Sequence, residues 1–240
     1  MNFITIGKKE NPVLVFMHGW GGSIESWGVI PARLAGFGFF VVVVDFSGFG
    51  KSAEPNRAYC VEDYADELKE LLDFLELDSF ALVGHSFGGR VAIKFATKFK
   101  ANVLKIILVD SAGILPRRGL KYKIKVWRYK SLKKKVEKGI KPKELLGRYG
   151  SDDYRVLSQV MKQTFTRVVN EDLSCDAQEV SCECLLIWGR NDRDTPLYMG
   201  RKLKKLIKFS RLEIYDAGHF SYLECMDRFI DEIYMFLLLT

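Results

Sequence analysis

The chain has 240 residues, 48% hydrophobic and 28% charged. Those proportions suit one globular domain with room for a small insertion and exclude an intrinsically disordered chain. Its 37 Lys and Arg against 30 Asp and Glu give a net charge of +7, which raises nucleic acid, an anionic surface or an acidic substrate as partners.

The first ten residues hold no apolar run long enough for a signal peptide, and no stretch nears the roughly 18 apolar residues of a membrane span. A short run at residues 13–17 is rich in β-branched residues, and residues 39–44 contain four consecutive valines. Residues 80–83, 106–109, 184–188 and 212–215 are similar apolar runs. Near-continuous runs of this length predict strands of a parallel sheet covered on both faces. Between them, Val61, Tyr64, Ala65, Leu68, Leu71, Leu72 and Leu75 keep the spacing of one helix face. Tyr222, Leu223, Met226, Phe229, Ile230, Ile233, Phe236 and Leu237 predict a last helix in the same way. Strand–helix–strand alternation implies βαβ units and an α/β fold.

Residues 114–173 interrupt this alternation without a strand pattern. Pro142-Lys143-Glu144-Leu145-Leu146 reads as a helix start with Pro in the first turn, and Ser151-Asp152-Asp153 as a helix N-cap. Val156, Leu157, Val160, Met161, Val168 and Val169 then make a helical stripe. The expected organisation is a core of residues 1–113 and 174–240 carrying a helical insertion at 114–173. Five cysteines, an odd number, do not suggest a disulfide framework. Cys182-Glu183-Cys184 lacks a second Cys/His pair at zinc-site spacing, so no metal or cofactor is expected. A reducing cytoplasm is the expected compartment.

Gly84-His85-Ser86-Phe87-Gly88-Gly89 follows the strand at 80–83 and opens a helix at 90–98. This is a G-x-S-x-G pattern in strand–turn–helix context, where the serine hydroxyl is exposed at a tight turn. Small residues two before and two after it let the chains pass without a clash. A serine needs a base to take its proton. Of three histidines, His85 adjoins the serine and is expected to point away, and His18 lies in a glycine-rich turn. His219 follows a strand in Asp216-Ala217-Gly218-His219-Phe220 and is the base candidate. The base needs an acid to fix its tautomer. Asp192, just past the strand at 184–188, is the first candidate; Asp110 and Asp194 are the alternatives. After the strand at 13–17, His18-Gly19-Trp20-Gly21-Gly22 would turn a backbone amide towards a bound carbonyl. The Trp20 and Phe87 N–H groups are then the candidate oxyanion hole.

These motifs, with Asp45-Phe46-Ser47-Gly48-Phe49-Gly50-Lys51-Ser52, Trp188-Gly189-Arg190-Asn191-Asp192 and Pro196, occur in an order that resembles the α/β-hydrolase superfamily, specifically small esterase-like members with a helical cap. The resemblance implies a mostly parallel sheet of about seven strands flanked by helices. Only one strand fits before residue 13, so the family's first edge strand is expected to be missing. It also implies a cofactor-independent serine hydrolase acting on a small carboxylic ester or thioester through Ser86, Asp192 and His219. The same triad serves carbon–carbon bond hydrolases, acyltransferases, perhydrolases and aminopeptidases. A low-turnover ligand-binding protein of the same fold is the reading from a different class. Trp20, Phe87 and Trp127 are candidate substrate contacts. Gly48-Phe49-Gly50-Lys51-Ser52 resembles the end of a phosphate-binding loop, but Asp45 stands where that pattern needs Gly, so it reads as a structural turn.

Residues 114–150 hold 14 Lys and Arg against Glu137 and Glu144, a local +12 that leaves the rest of the chain at −5. Charge gathered on the segment expected to gate the pocket weakens the nucleic-acid idea. It is either the solvated face of cap helices or a docking surface for an acidic carrier or an anionic surface.

Overall fold

The computed structural model describes residues 1–116, 119–142, 145, 154 and 156–238. The apolar runs form seven strands: β1 (Asn2–Ile6), β2 (Val13–Met17), β3 (Phe40–Asp45), β4 (Phe80–His85), β5 (Val103–Val109), β6 (Glu183–Gly189) and β7 (Ser210–Tyr215). They make one sheet in the order β1-β3-β2-β4-β5-β6-β7. Only β1 is antiparallel, closing the edge beside β3, and it is the single strand that fits before residue 13. The helices, in chain order, are α1 (Ile30–Gly36), α2 (Val61–Phe74), α3 (Phe87–Lys98), α4 (Leu120–Glu137), α5 (Gln159–Asn170), α6 (Ser174–Glu179), α7 (Tyr198–Leu206), α8 (Ser221–Glu224) and α9 (Met226–Leu238).

The two-residue period of a strand sends alternate side chains to opposite faces. Val42, Val44, Leu82, Ile106, Leu108 and Leu186 pack against α2, α3, α6 and α7. Val41, Val43, Val83, Ile107, Val109 and Ile187 pack against α1 and α9. Both faces are covered, which is why these strands read as unbroken apolar runs. The fold is the α/β-hydrolase architecture. Along the sheet, β3 lies on one side of β2 and β4 on the other. The connections leaving the C-terminal ends of β2 and β4 therefore diverge, and a crevice opens between them.

Between β5 and β6 the described residues hold helices and no strand. α5 is capped by Ser158, whose hydroxyl accepts from the Met161 N–H at 3.1 Å. Val156, expected on the buried stripe, is exposed. Lys143, Glu144 and Leu146 of the predicted helix start, and the predicted cap Ser151-Asp152-Asp153, lie outside the described residues. On α4, cations recur at every angle, so the helix has no apolar face to bury. Ile124, Trp127 and Tyr129 are exposed on it. The C-terminal stripe is split into α8 and α9 at Cys225, whose φ of −125° and ψ of 45° leave the helical region. All five cysteines are free; Cys184 is buried in β6. Among the described residues, no helix is long and apolar enough to cross a membrane.

Candidate active site

Ser86 stands between β4 and α3 with φ 49° and ψ −106°, a conformation L-residues rarely adopt. The surroundings hold it there. Its N–H donates to the Val109 carbonyl at 3.0 Å, and its carbonyl accepts from Gly89 and Ala112. A Cβ on Gly84 would meet the Gly88 carbonyl at 2.5 Å, and one on Gly88 would run into the Met17 backbone. Glycine at both positions is therefore a packing requirement of the turn.

His219 follows β7 and α8 follows it. Its Nε2 is 3.1 Å from Ser86 Oγ, and its Nδ1 is 2.9 Å from Asp192 Oδ2. A carboxylate only accepts, so Nδ1 carries the proton and the Nε2 lone pair faces the serine hydroxyl. Burial disfavours the imidazolium, but the hydrogen bond and charge of Asp192 outweigh it and raise the His219 pKa above its ordinary value. Burial likewise opposes ionised Asp192, and the bonds from His219 and Thr195 more than offset it, holding its pKa low. Thr195 fixes that carboxylate: its hydroxyl donates to Oδ2 at 2.7 Å and its N–H to Oδ1 at 2.9 Å. The Asp194 N–H adds a second bond to Oδ1 at 2.8 Å.

Of the three acid candidates, only Asp192 reaches His219. Asp110 is buried and accepts from the Gly189 N–H, the Ser221 N–H and the Ser221 hydroxyl at 2.7, 3.1 and 2.6 Å. It ties the ends of β5 and β6 to α8 and so sets the loop that carries His219. Burial pushes its pKa up to about 7, against those three bonds. The Asp194 side chain lines the cavity without entering the hydrogen-bonded chain. Asp192, Asp194 and His219 offer ligand atoms within 4.8 Å of one another, yet the Asp192 oxygens and His219 Nδ1 already engage each other and Thr195.

His85 corrects an expectation. It does not simply point away: its Nε2–H donates to the His219 carbonyl at 2.8 Å, with the two rings 4.9 Å apart. Burial, then the nearby His219, push its pKa down to about 3, so it stays neutral and acts as a brace. His18 is also buried and its pKa is lowered by burial. Its Nε2 accepts from the Phe46 N–H at 3.1 Å, so Nδ1–H donates to the Gly19 carbonyl at 2.7 Å. Asp45 accepts from the Ile24 and Lys51 N–H groups at 2.7 and 2.9 Å, which makes the Gly48-Phe49-Gly50-Lys51-Ser52 stretch a structural turn.

Ser86 and His219 open on a cavity of about 660 Å³, within the range of small-molecule sites. Trp20 and Phe87 both line it; the Trp20 ring packs edge-on against Phe49, Phe87 and Phe165 at 4.8, 5.4 and 5.1 Å. Among the described residues, no turn or loop hydrogen bond engages the Trp20 or the Phe87 backbone N–H. Trp127 does not line the cavity. It is 69% exposed on α4, a helix on which cations recur at every angle. Met161 is buried against Gly48. Sequence reasoning missed Thr195, whose Asp-x-x-Thr spacing from Asp192 was the available signal. It also missed Phe165 and Arg90, which line the cavity and carry no local signal.

A strained serine at a strand–helix turn, linked to a histidine and a carboxylate, defines a hydrolase architecture, and the sequence comparison agrees. The chain belongs to the alpha/beta hydrolase fold family, whose model matches residues 12–136. It is similar to the 2-hydroxy-6-oxo-2,4-heptadienoate hydrolase of Pseudomonas putida, at 29% identity over 89% of this chain and 84% of that one. Among solved structures it is similar to the enol-lactonase of Burkholderia xenovorans, with a TM-score of 0.77, 22% identity, and 99% and 96% of the two chains covered. The esterase of Exiguobacterium antarcticum aligns with a TM-score of 0.77, 23% identity, and 98% and 94% covered.

Proposed function

We propose that this protein is a serine hydrolase cleaving a small carboxylic ester or thioester through an acyl-enzyme, with Ser86 as nucleophile, His219 as base and Asp192 as the acid that orients it. The observation that carries this reading is the continuous chain from Ser86 Oγ through His219 to Asp192, opening on a cavity lined by Trp20 and Phe87. Ser86 Oγ attacks the carbonyl carbon while His219 Nε2 takes its proton. The Trp20 and Phe87 N–H groups receive the developing oxyanion; one such donor is typically worth about 3 kcal/mol of transition-state stabilisation. His219 then gives its proton to the leaving alcohol or thiol. Water, deprotonated by His219, releases the acid and restores the serine. Residues 114–173 serve as a helical cap, with Phe165, Val168 and Val169 of α5 forming one wall of the acyl pocket.

A fluorophosphonate probe tests this directly. Wild type should be labelled on Ser86 and Ser86→Ala should not. A folded wild type that takes no label, or equal labelling of both, overturns the proposal. Carbon–carbon bond hydrolysis is the second reading, favoured by relatives named as hydrolases of 2-hydroxy-6-oxo-dienoates. Faster turnover of 2-hydroxy-6-oxo-2,4-heptadienoate than of any ester in a panel varying acyl length would select it. A burst of one product without steady turnover would instead mark a low-turnover binding protein.

A further inference from the structure

Among the described residues that line the cavity, one is a cation, and it lies outside the hydrogen-bonded chain. Arg90 lies on α3, four residues beyond Ser86, and lines the same cavity while being only 5% exposed. At ~1.5 Å per residue it sits about one turn, or ~6 Å, further along the helix axis than the nucleophile. Its Cα–Cβ bond tilts back towards the helix N-terminus, the end that Ser86 occupies. One Nη1–H donates to the Glu171 carbonyl at 2.7 Å. Among the described residues the guanidinium makes no other hydrogen bond and no ion pair. The acids near it are committed elsewhere. The Glu171 oxygens go to Lys94 and to the Val61 N–H, and the Asp172 Oδ1 accepts from the N–H and hydroxyl of Ser174. Lys94, the next cation on α3, is matched by Glu171 and Asp176. Arg90 has no ion pair of its own, and the charges of Glu171 and Asp172 act on it only from a distance.

Burying a guanidinium without an ion pair of its own is costly, and the nearby Glu171 and Asp172 charges offset that burial only in part. Burial accordingly holds its pKa down near 10, still charged at neutral pH. The single bond to Glu171 fixes the group at the C-terminal end of α5, and among the described residues the rest of its five-donor fork has no protein acceptor. A planar fork of this kind matches a carboxylate in two parallel hydrogen bonds. Among the described residues, the one carboxylate that lines the cavity, Asp194, is on the His219 side and within 4.8 Å of that ring.

We propose that Arg90 forms an anion subsite in the Ser86 cavity, so that the natural substrate carries a carboxylate separated by a few bonds from the carbonyl that Ser86 attacks. This rests on the hydrolase reading, and it narrows the substrate class from esters in general to half-esters and their thioester equivalents. Arg90 is a specificity residue in this scheme: it holds the far end of the substrate and takes no part in proton transfer.

The test compares monomethyl esters of succinic, glutaric, adipic and suberic acids with methyl esters of the monoacids of equal carbon number. In wild type the best half-ester should exceed its neutral counterpart in kcat/KM by about tenfold or more, the usual worth of a charge-assisted hydrogen bond. Arg90→Gln should collapse that ratio towards one, acting mainly through KM, and Arg90→Lys should restore part of it. Calorimetric binding of adipate gives a readout independent of turnover. Ser86→Ala should bind it, and Ser86→Ala/Arg90→Gln should not. An Arg90-dependent adipate signal in a protein that hydrolyses neither ester series would sink the hydrolase reading and leave the subsite standing. If wild type hydrolyses the esters, equal kcat/KM on half-esters and neutral esters overturns the subsite, even if Arg90→Gln fails to fold. So does a rate loss equal on both series with adipate binding unchanged, which would make Arg90 only a brace for α5.

Discussion

Asp192→Asn isolates the role of one carboxylate without removing volume. In the native site, Oδ2 accepts from His219 Nδ1–H at 2.9 Å and from the Thr195 hydroxyl at 2.7 Å, while Oδ1 accepts from the N–H groups of Asp194 and Thr195. In the variant, those two backbone donors keep the oxygen of the introduced amide on the Oδ1 side. Its NH₂ then faces His219 Nδ1 and donates to it. The imidazole must shift its proton to Nε2, so an N–H points at Ser86 Oγ where a lone pair is needed. The loss on a good ester substrate should be about ten-thousandfold in kcat, or ~5 kcal/mol, as for other triads given the wrong tautomer. Because the loop hydrogen bonds survive, thermal stability should fall by no more than ~1–2 kcal/mol. The assay is steady-state ester hydrolysis beside a thermal melt. Asp110→Ala is the control. It strands the Gly189 N–H, the Ser221 N–H and the Ser221 hydroxyl, so it should cost ~3 kcal/mol or more in denaturant unfolding. Asp192→Asn retaining activity within about tenfold, far short of a lost triad acid, would refute the assignment of Asp192 as the orienting acid.

The remaining predictions concern pH, shape and salt. The base must be neutral to accept the serine proton and its pKa is raised, so kcat/KM should rise with pH through a midpoint above 6.5; a midpoint below that value would contradict the Asp192 contact. The same shift stabilises the fold below the ordinary histidine value and fades as pH rises through the raised one, whereas the lowered Asp192 pKa gives stability that is lost as pH falls through it; urea midpoints across pH read both. Phe165→Ala removes a ring packed 5.1 Å from Trp20 on the cavity wall, so activity should move towards bulkier acyl groups, with ~1–3 kcal/mol lost from stability. An unchanged acyl profile would place Phe165 outside the acyl pocket. If an acidic carrier docks on α4, its kcat/KM should fall steeply between low and physiological salt while a neutral ester stays nearly constant; equal salt dependence returns α4 to a solvated face.

Short-range patterns carried a large part of this protein. The valine run of β3, the apolar core of β4 and the Gly84 to Gly88 turn specify their geometry within a few residues, because strand period and turn sterics are local. That was enough to predict an α/β sheet, the strained serine and the strand ends that bear His219 and Asp192. Position along the chain ranked Asp192 ahead of Asp110 and Asp194, and only the tertiary fold separates them by contact. The Asp192–His219 contact spans 27 residues and the His219–Ser86 contact 133, so chain distance does not encode which carboxylate arrives. Arg90 looks in sequence like an ordinary helix cation. It becomes a buried, half-satisfied guanidinium only because the end of α5 meets it and Lys94 takes the nearby carboxylate. Trp127 looks like a pocket aromatic and is exposed on α4, a helix on which cations recur at every angle. Local sterics decide where the chain turns; the packing of distant segments decides which charges lose their water, and that desolvation is what makes a polar side chain functional.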